Sequence, residues 1–214
     1  MTRENDKPLI VCKIVVVFDI CSSTTILEDL KATDNLQHWR NVLIKMKDFL
    51  SRESVTLDFE VYKFVGDGWI LLFPPHISQS EMLSFLQRLD ETFRHLYLGL
   101  HRVLQHEPTL KGITVGVDSG DLICLEMNER NEYLGRAINV ASRLQGAVKE
   151  LPGNISGVAL FSSNSFYSMT QGGLDQGYLR TVRTINVPLR NISNGIDCKC
   201  VRCLIPYGQK SQTL

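Results

Sequence analysis

Two aspartates stand where a carboxylate interrupts a strongly apolar run. Asp19 closes the nearly continuous aliphatic stretch Leu9 to Phe18, and Asp67 sits in VYKFVGDGWILLF, Val61 to Phe73. Asp19 is followed by Ser22, Ser23, Thr24 and Thr25, the residue types that start helices and cap their first amides. A helix start binds anions readily, so a phosphate could sit there beside a metal held by Asp19. Taken alone, a plain helix cap accounts for the same residues. Lys63 is harder to dismiss. With a side-chain period of two it shares a face with Phe59, Val61 and Val65, so a cation projects from an apolar row and needs an anionic or hydrogen-bonding partner. Asp67 falls on that face too, but at about 3.3 Å per residue the two are roughly 13 Å apart and cannot pair. Farther on, NEYLGRAINVASRLQ turns at Gly135 into a helix with Asn139 and Arg143 one turn apart on one face, which a surface pair would also explain.

The elements that must position these residues are legible from periodicity. Leu9 to Phe18 suits a central strand covered on both faces. Asp67-Gly68 predicts a two-residue hairpin loop between apolar strands. Leu36, Trp39, Leu43, Met46 and Leu50 mark one amphipathic helix, and Met82, Phe85, Leu89, Phe93, Leu96, Leu100 and Val103 another. His95, His101 and His106 lack ligand spacing and read as surface residues. A second hairpin is predicted around Ser119-Gly120, joining Ile113 to Val117 with Leu122 to Leu125. Strands are expected at 158–161, 178–187 and 196–204, with a short helix after Ser162. Strand, two helices, two strands, helix, two strands, helix describes an α+β sandwich on a ferredoxin-like core.

Composition bounds the partners. The 214 residues contain 43% hydrophobic residues and no Pro/Gly/Ser-rich linker, which predicts a single domain over 1–214 with its core at about 9–205. With 23 basic against 23 acidic residues there is no net field to attract nucleic acid or a membrane surface. The start MTRENDKP is polar and Lys13 breaks the first apolar run, so neither a signal peptide nor a membrane span is expected, and the predicted location is the cytoplasm. Six cysteines in that compartment are expected to be reduced. Cys198, Cys200 and Cys203 form C-x-C-x-x-C; without a following histidine they read as buried thiols rather than metal ligands.

FDICSST at 18 to 24, YKFVGDGW at 62 to 69 and YLGRAINVASR at 133 to 143 together resemble the three motif blocks of the class III nucleotidyl cyclases, in order and in spacing. The resemblance implies that Asp19, Asp67 and the carbonyl of Ile20 hold two divalent cations, Mg²⁺ or Mn²⁺. It implies that Asn139 and Arg143 orient the ribose and stabilise the transferring phosphate, and that Lys63 and Glu132 read the base. The hydroxyl run Ser22, Ser23 and Thr24 would border the phosphates. The family's further phosphate-binding basic residue is matched to Arg190, where the usual Lys-Gly neighbourhood is replaced by Leu-Arg-Asn. A head-to-tail homodimer is implied, in which the acids of one subunit face Lys63, Asn139 and Arg143 of the other. Glu132 departs from the usual Asp or Thr. Hydrogen-bond inventory alone lets Lys63 and Glu132 read adenine or uracil. The wording KFVGDGWILLF and GRAINVASRLQ, with the compact length, is most similar to the free-standing pyrimidine cyclases of bacterial anti-phage defence, which make cyclic UMP or cyclic CMP for an effector protein; the resemblance implies a pyrimidine triphosphate, UTP ahead of CTP, with ATP as the alternative. No Gly-Gly-Asp/Glu-Glu-Phe turn of a diguanylate cyclase is present.

Overall fold

The computed structural model describes residues 8–153, 157–169, 182–189 and 192–202. At its centre is β1 (Leu9–Ile20). Ile14, Val16, Phe18 and Ile20 point into the larger core, while Val15 and Val17 pack on the opposite face, so the continuous aliphatic run is buried on both sides as its composition predicts. Two helices follow, α1 (Ser23–Ala32) and α2 (Leu36–Leu57). Next come β2 (Glu60–Phe64), β3 (Gly68–Phe73) and α3 (Gln79–His101). Then follow β4 (Ile113–Met127), β5 (Arg130–Leu134) and α4 (Arg136–Val148). The described chain ends with β6 (Val158–Ser162), α5 (Ser163–Ser168), β7 (Val182–Leu189) and β8 (Ile192–Arg202).

The strands form one sheet in the order β2-β3-β1-β4-β6-β8-β7, with β5 paired to β4. Its first four strands are antiparallel neighbours in the ferredoxin-like order, and β6 runs parallel to β4. Side chains of α1, α2 and α3 pack with one face of the sheet, including Trp39, Met46, Phe85 and Phe93. α4 covers the other face through Ala137, Val140, Ala141 and Leu144. Gly116 permits that approach, because a Cβ there would lie 2.0 Å from the Ala141 carbonyl oxygen.

Three sequence expectations are corrected. First, Asp67-Gly68 is not the two-residue loop. Phe64 ends β2 and Gly68 already begins β3, so the turn is Val65-Gly66-Asp67, closed by Val65 N–H donating to the Gly68 carbonyl at 2.9 Å, with Gly66 taking φ 93°. Second, Ser119-Gly120 is not a turn. β1 is long enough to pair with β4 from Ile20 opposite Ile113 to Leu9 opposite Cys124, and Gly120 simply faces Lys13 in that ladder. The reversal occurs at Asn128 and Glu129, whose φ values of 52° and 60° are those a type I′ turn needs. Third, a bulge between Val61 and Lys63 breaks the alternation of β2. Phe59 and Val61 stay with the helix-covered core, while Tyr62 packs on the opposite face and Lys63 does not share Val61's row.

Among the described residues the cysteines are free thiols, and Cys198 and Cys200 lie together on the β8 face that packs with α4. Burial pushes the Cys198 thiol up to about 12, which fits an inert core residue; Cys203 lies outside the described residues. His101 and His106 are surface residues as expected, yet each has an unforeseen carboxylate partner, Glu107 at 3.1 Å and Asp29 at 2.7 Å.

α3 carries a buried acid, Asp90, 1% exposed and paired through one oxygen with Arg94 at 2.9 Å. Burial dominates over Arg94 and raises its pKa to about 6. Because the folded value lies above the unfolded one, the contribution of Asp90 to stability is complete below about pH 4 and is lost as pH rises through about 6. Urea unfolding of the wild type and Asp90→Asn between pH 4 and 8 is expected to show the wild type losing roughly 2–3 kcal/mol relative to the variant as pH rises. A difference that stays flat with pH would exclude this.

Candidate active site

The sheet registers Asp19 directly opposite Gly68. That closeness needs glycine, since a Cβ on residue 68 would lie 2.1 Å from the Phe18 carbonyl oxygen. The Ile20 N–H donates to the Asp67 carbonyl at 3.3 Å, which draws the β2–β3 turn against the end of β1. The two aspartates predicted from separate apolar runs are therefore neighbours at one sheet end, with Ile20 between them in the backbone. Asp19 feels the like charge of Asp67 and accepts a hydrogen bond from Lys149 Nζ at 2.6 Å. Burial is the larger influence and raises the Asp19 pKa, with Asp67 adding to it and Lys149 opposing.

α1 begins at this corner. Ser22 is its N-cap, but in a left-handed conformation at φ 55° and without a capping side-chain hydrogen bond, which corrects the expectation of a hydroxyl cap. Ser23 instead donates its hydroxyl to Asp67 Oδ2. The first turn of α1, Ser23 to Thr25, keeps its N–H groups at the acid corner without a cap from Ser22, an arrangement suited to an anion held beside a cation.

Lys63 and Glu132 are also brought together, on β2 and β5, with Lys63 Nζ 3.1 Å from Glu132 Oε2. The same oxygen accepts from the Tyr62 hydroxyl at 2.5 Å, and Tyr62 in turn accepts from the Tyr133 N–H at 3.1 Å. The Tyr62 and Lys63 hydrogen bonds hold the Glu132 carboxyl below the ordinary glutamate value. The β2 bulge is what allows consecutive residues, Tyr62 and Lys63, to reach one carboxylate. Sequence reading found Lys63 and Glu132 but missed Tyr62, whose part depends on a bulge that leaves no residue signature.

Asn139 is exposed and Arg143 half-buried on α4. They are not the α4 side chains seen on Asp19, which are Gln145, at 3.5 Å, and Lys149. Gln145 also donates to Thr114 Oγ1 at 2.6 Å. At about 100° per residue, the Gln145–Lys149 row, six residues on, is turned roughly 120° from the Asn139–Arg143 row. Arg190 lies outside the described residues.

The oxygens collected around Asp19 and Asp67 are hard donors, the type that Mg²⁺ and Mn²⁺ prefer. No group of three or more His, Cys, Asp or Glu residues suited to a metal occurs among the described residues, so a cation here would need two carboxylates completed by backbone and hydroxyl oxygens. These residues fit a divalent cation: two like charges face one another, and a cation, the Lys149 ammonium, already stands on Asp19.

No protein-family model matches the sequence, and no curated protein matches it. Solved structures do. A bacterial light-regulated adenylyl cyclase superposes with a TM-score of 0.67 over 93% of this chain at 20% identity. The fold is that of the class III cyclases. The adenylyl cyclase CyaB from P. aeruginosa gives a TM-score of 0.64 at 20% identity, covering 90% of this chain and 95% of its own. The guanylyl cyclase Cya2 gives 0.66 at 16% identity, covering 91% and 93%. The chain spans 54% of the light-regulated cyclase, about half its length. Identities this low carry the fold and leave the activity to be argued from the site. No helix among the described residues is long and apolar enough to cross a membrane.

Proposed function

We propose that this chain is a nucleotidyl cyclase converting a ribonucleoside triphosphate, in first place UTP, to its 3′,5′-cyclic monophosphate and pyrophosphate. The observation that carries the reading is the convergence of Asp19, Asp67 and Ser23 with the start of α1 at one sheet end. In the reaction the ribose 3′-oxygen bonds to the α-phosphorus, the bond from that phosphorus to the β-phosphate bridging oxygen breaks, pyrophosphate leaves, and the hydroxyl proton passes to solvent. Two divalent cations bound at this corner would lower the hydroxyl's pKa and neutralise phosphate charge. Asp19, Asp67 and the Ile20 carbonyl would hold them. The first turn of α1, with Ser22, Ser23 and Thr24, borders the phosphates; Asn139 orients the ribose; Arg143 supplies the fixed cation for charge building on the transferring phosphate. Arg190 is proposed as a further phosphate contact.

Lys63 and Glu132 form the base reader. Their pairing through one carboxylate oxygen sets a donor and an acceptor side by side, which uracil meets with a carbonyl and its N3–H. The Tyr62 hydroxyl on the same carboxylate oxygen fixes the position of Glu132 as the acceptor of the pair. Adenine is the second reading, favoured by Lys63 itself and by the adenylyl cyclases that share the fold. We place the protein in the cytoplasm as a head-to-tail homodimer, whose cyclic nucleotide reaches an effector protein in anti-phage defence, with no nucleic acid or membrane as partner. Incubation with each of the four triphosphates and Mn²⁺ tests this. UTP is expected to give cyclic UMP with kcat/KM at least tenfold above ATP. An ATP value equal to or above both pyrimidines makes it an adenylyl cyclase, and no product from any triphosphate leaves a silent nucleotide-binding domain.

A further inference from the structure

The Lys149 ammonium occupies the carboxylate that the cyclase reading assigns to metal. It lies 2.6 Å from Asp19 Oδ2, and Gln145 reaches the same oxygen at 3.5 Å. Lys149 caps the C-terminal end of α4, where a cation is favoured by the helix dipole, and its side chain remains 40% exposed on a flexible four-carbon stem. A divalent cation that takes Asp19 Oδ2 competes with this ammonium for the same oxygen, and the like charges repel at contact distance, so metal binding there favours release of Lys149. Released, the ammonium lies at the corner where the start of α1 would border the phosphates.

Resting on the cyclase reading, we infer that Lys149 is an internal counter-cation that hands Asp19 over to metal and then pairs with the nucleotide's phosphates. It thereby opposes binding of metal alone and favours binding of metal together with triphosphate. The ammonium is the same charge in both states, and only its anionic partner changes. Lys149 thus couples the two binding events, so each ligand raises the affinity for the other by the same factor.

The test is binding rather than turnover. Mn²⁺ affinity is measured by electron paramagnetic resonance of the free ion, first without nucleotide. Affinity for 3′-deoxyuridine and 3′-deoxyadenosine triphosphates, which cannot cyclise, is then measured at saturating Mn²⁺. Lys149→Met, which keeps most of the side-chain volume, is expected to bind Mn²⁺ alone about tenfold tighter than the wild type and to bind the better analogue about tenfold weaker. Lys149→Arg is expected to stay within about threefold of the wild type in both. Opposite signs in the two measurements are the signature, because a merely structural role would weaken both. An unchanged or weaker Mn²⁺ affinity in Lys149→Met overturns the inference. Asp67→Asn separates this from the reading beneath it: if that variant binds Mn²⁺ as the wild type does, or if neither wild type nor Lys149→Met binds the ion, the metal site itself is misplaced.

Discussion

Asp67→Asn is expected to lower the cyclisation rate by at least about 10³-fold at saturating nucleotide and Mn²⁺, while the urea midpoint moves by less than the equivalent of about 1 kcal/mol. The separation follows from where the carboxylate lies. Asp67 sits in the turn between β2 and β3, half-buried, and its carboxylate accepts from the Ser23 hydroxyl, a bond that an amide oxygen can also accept. The fold there is held by backbone instead: the Ile20 N–H on the Asp67 carbonyl, the Val65 N–H on the Gly68 carbonyl, and the unsubstituted Gly68 against Phe18. None of these contacts involves the altered atom. Removing the charge also relieves its repulsion of Asp19. The chemistry has no such reserve, because an amide is a poor ligand for Mg²⁺ or Mn²⁺ and the phosphate charge would go uncompensated. A loss of about 10³ corresponds to about 4 kcal/mol of transition-state stabilisation, well within what a metal ligand can supply. Asp19→Asn is expected to lose activity as fully, and to free Lys149 as well. Near-normal turnover in either variant would remove the two-metal reading.

How far the site was legible before the fold follows from what each residue depends on. Asp19 and Asp67 could be found because each ends or interrupts an apolar run, and the runs themselves are strands whose burial is written in consecutive residues. Their meeting is long-range, but three motif blocks in order made it legible by resemblance. Tyr62 could not be found that way, because the even alternation assumed for β2 is broken by a bulge set by pairing with β3. The same limit explains the misplaced second hairpin. Ser119-Gly120 carries a fair turn signal, yet the length of β1 decides that β4 continues through it, while Asn128-Glu129 turns although glutamate is an uncommon residue at φ 60°. Lys149 was invisible for a simpler reason. It is an ordinary helix-end lysine in sequence, and its partner lies 130 residues away.

Mixing two dead variants should restore activity. Asp67→Ala and Arg143→Ala are each expected to be inactive alone, and an equimolar mixture, allowed to exchange subunits, is expected to recover about a quarter of wild-type turnover per subunit. The arithmetic follows from the proposed head-to-tail symmetry. Random pairing makes about half of the dimers mixed, and a mixed dimer holds one site with both defects and one with neither. The undamaged site takes its acids from the Arg143→Ala subunit and its arginine from the Asp67→Ala subunit. Within one chain, the end of α4 presents Gln145 and Lys149 to Asp19, whereas Asn139 and Arg143 follow a row turned roughly 120° away. A transition-state arginine on that row serves an acid pair more readily if the pair belongs to a second copy. Lys63 fits the same division, since it is paired with Glu132 on β5 rather than placed at the Asp19 corner. Turnover is measured against mixing ratio, with each variant's circular dichroism matched to the wild type so that recovery cannot come from refolding. Activity should peak near equal proportions and vanish at both ends. A mixture as inactive as its components would put the acids and Arg143 in one subunit, and the head-to-tail arrangement would have to be abandoned.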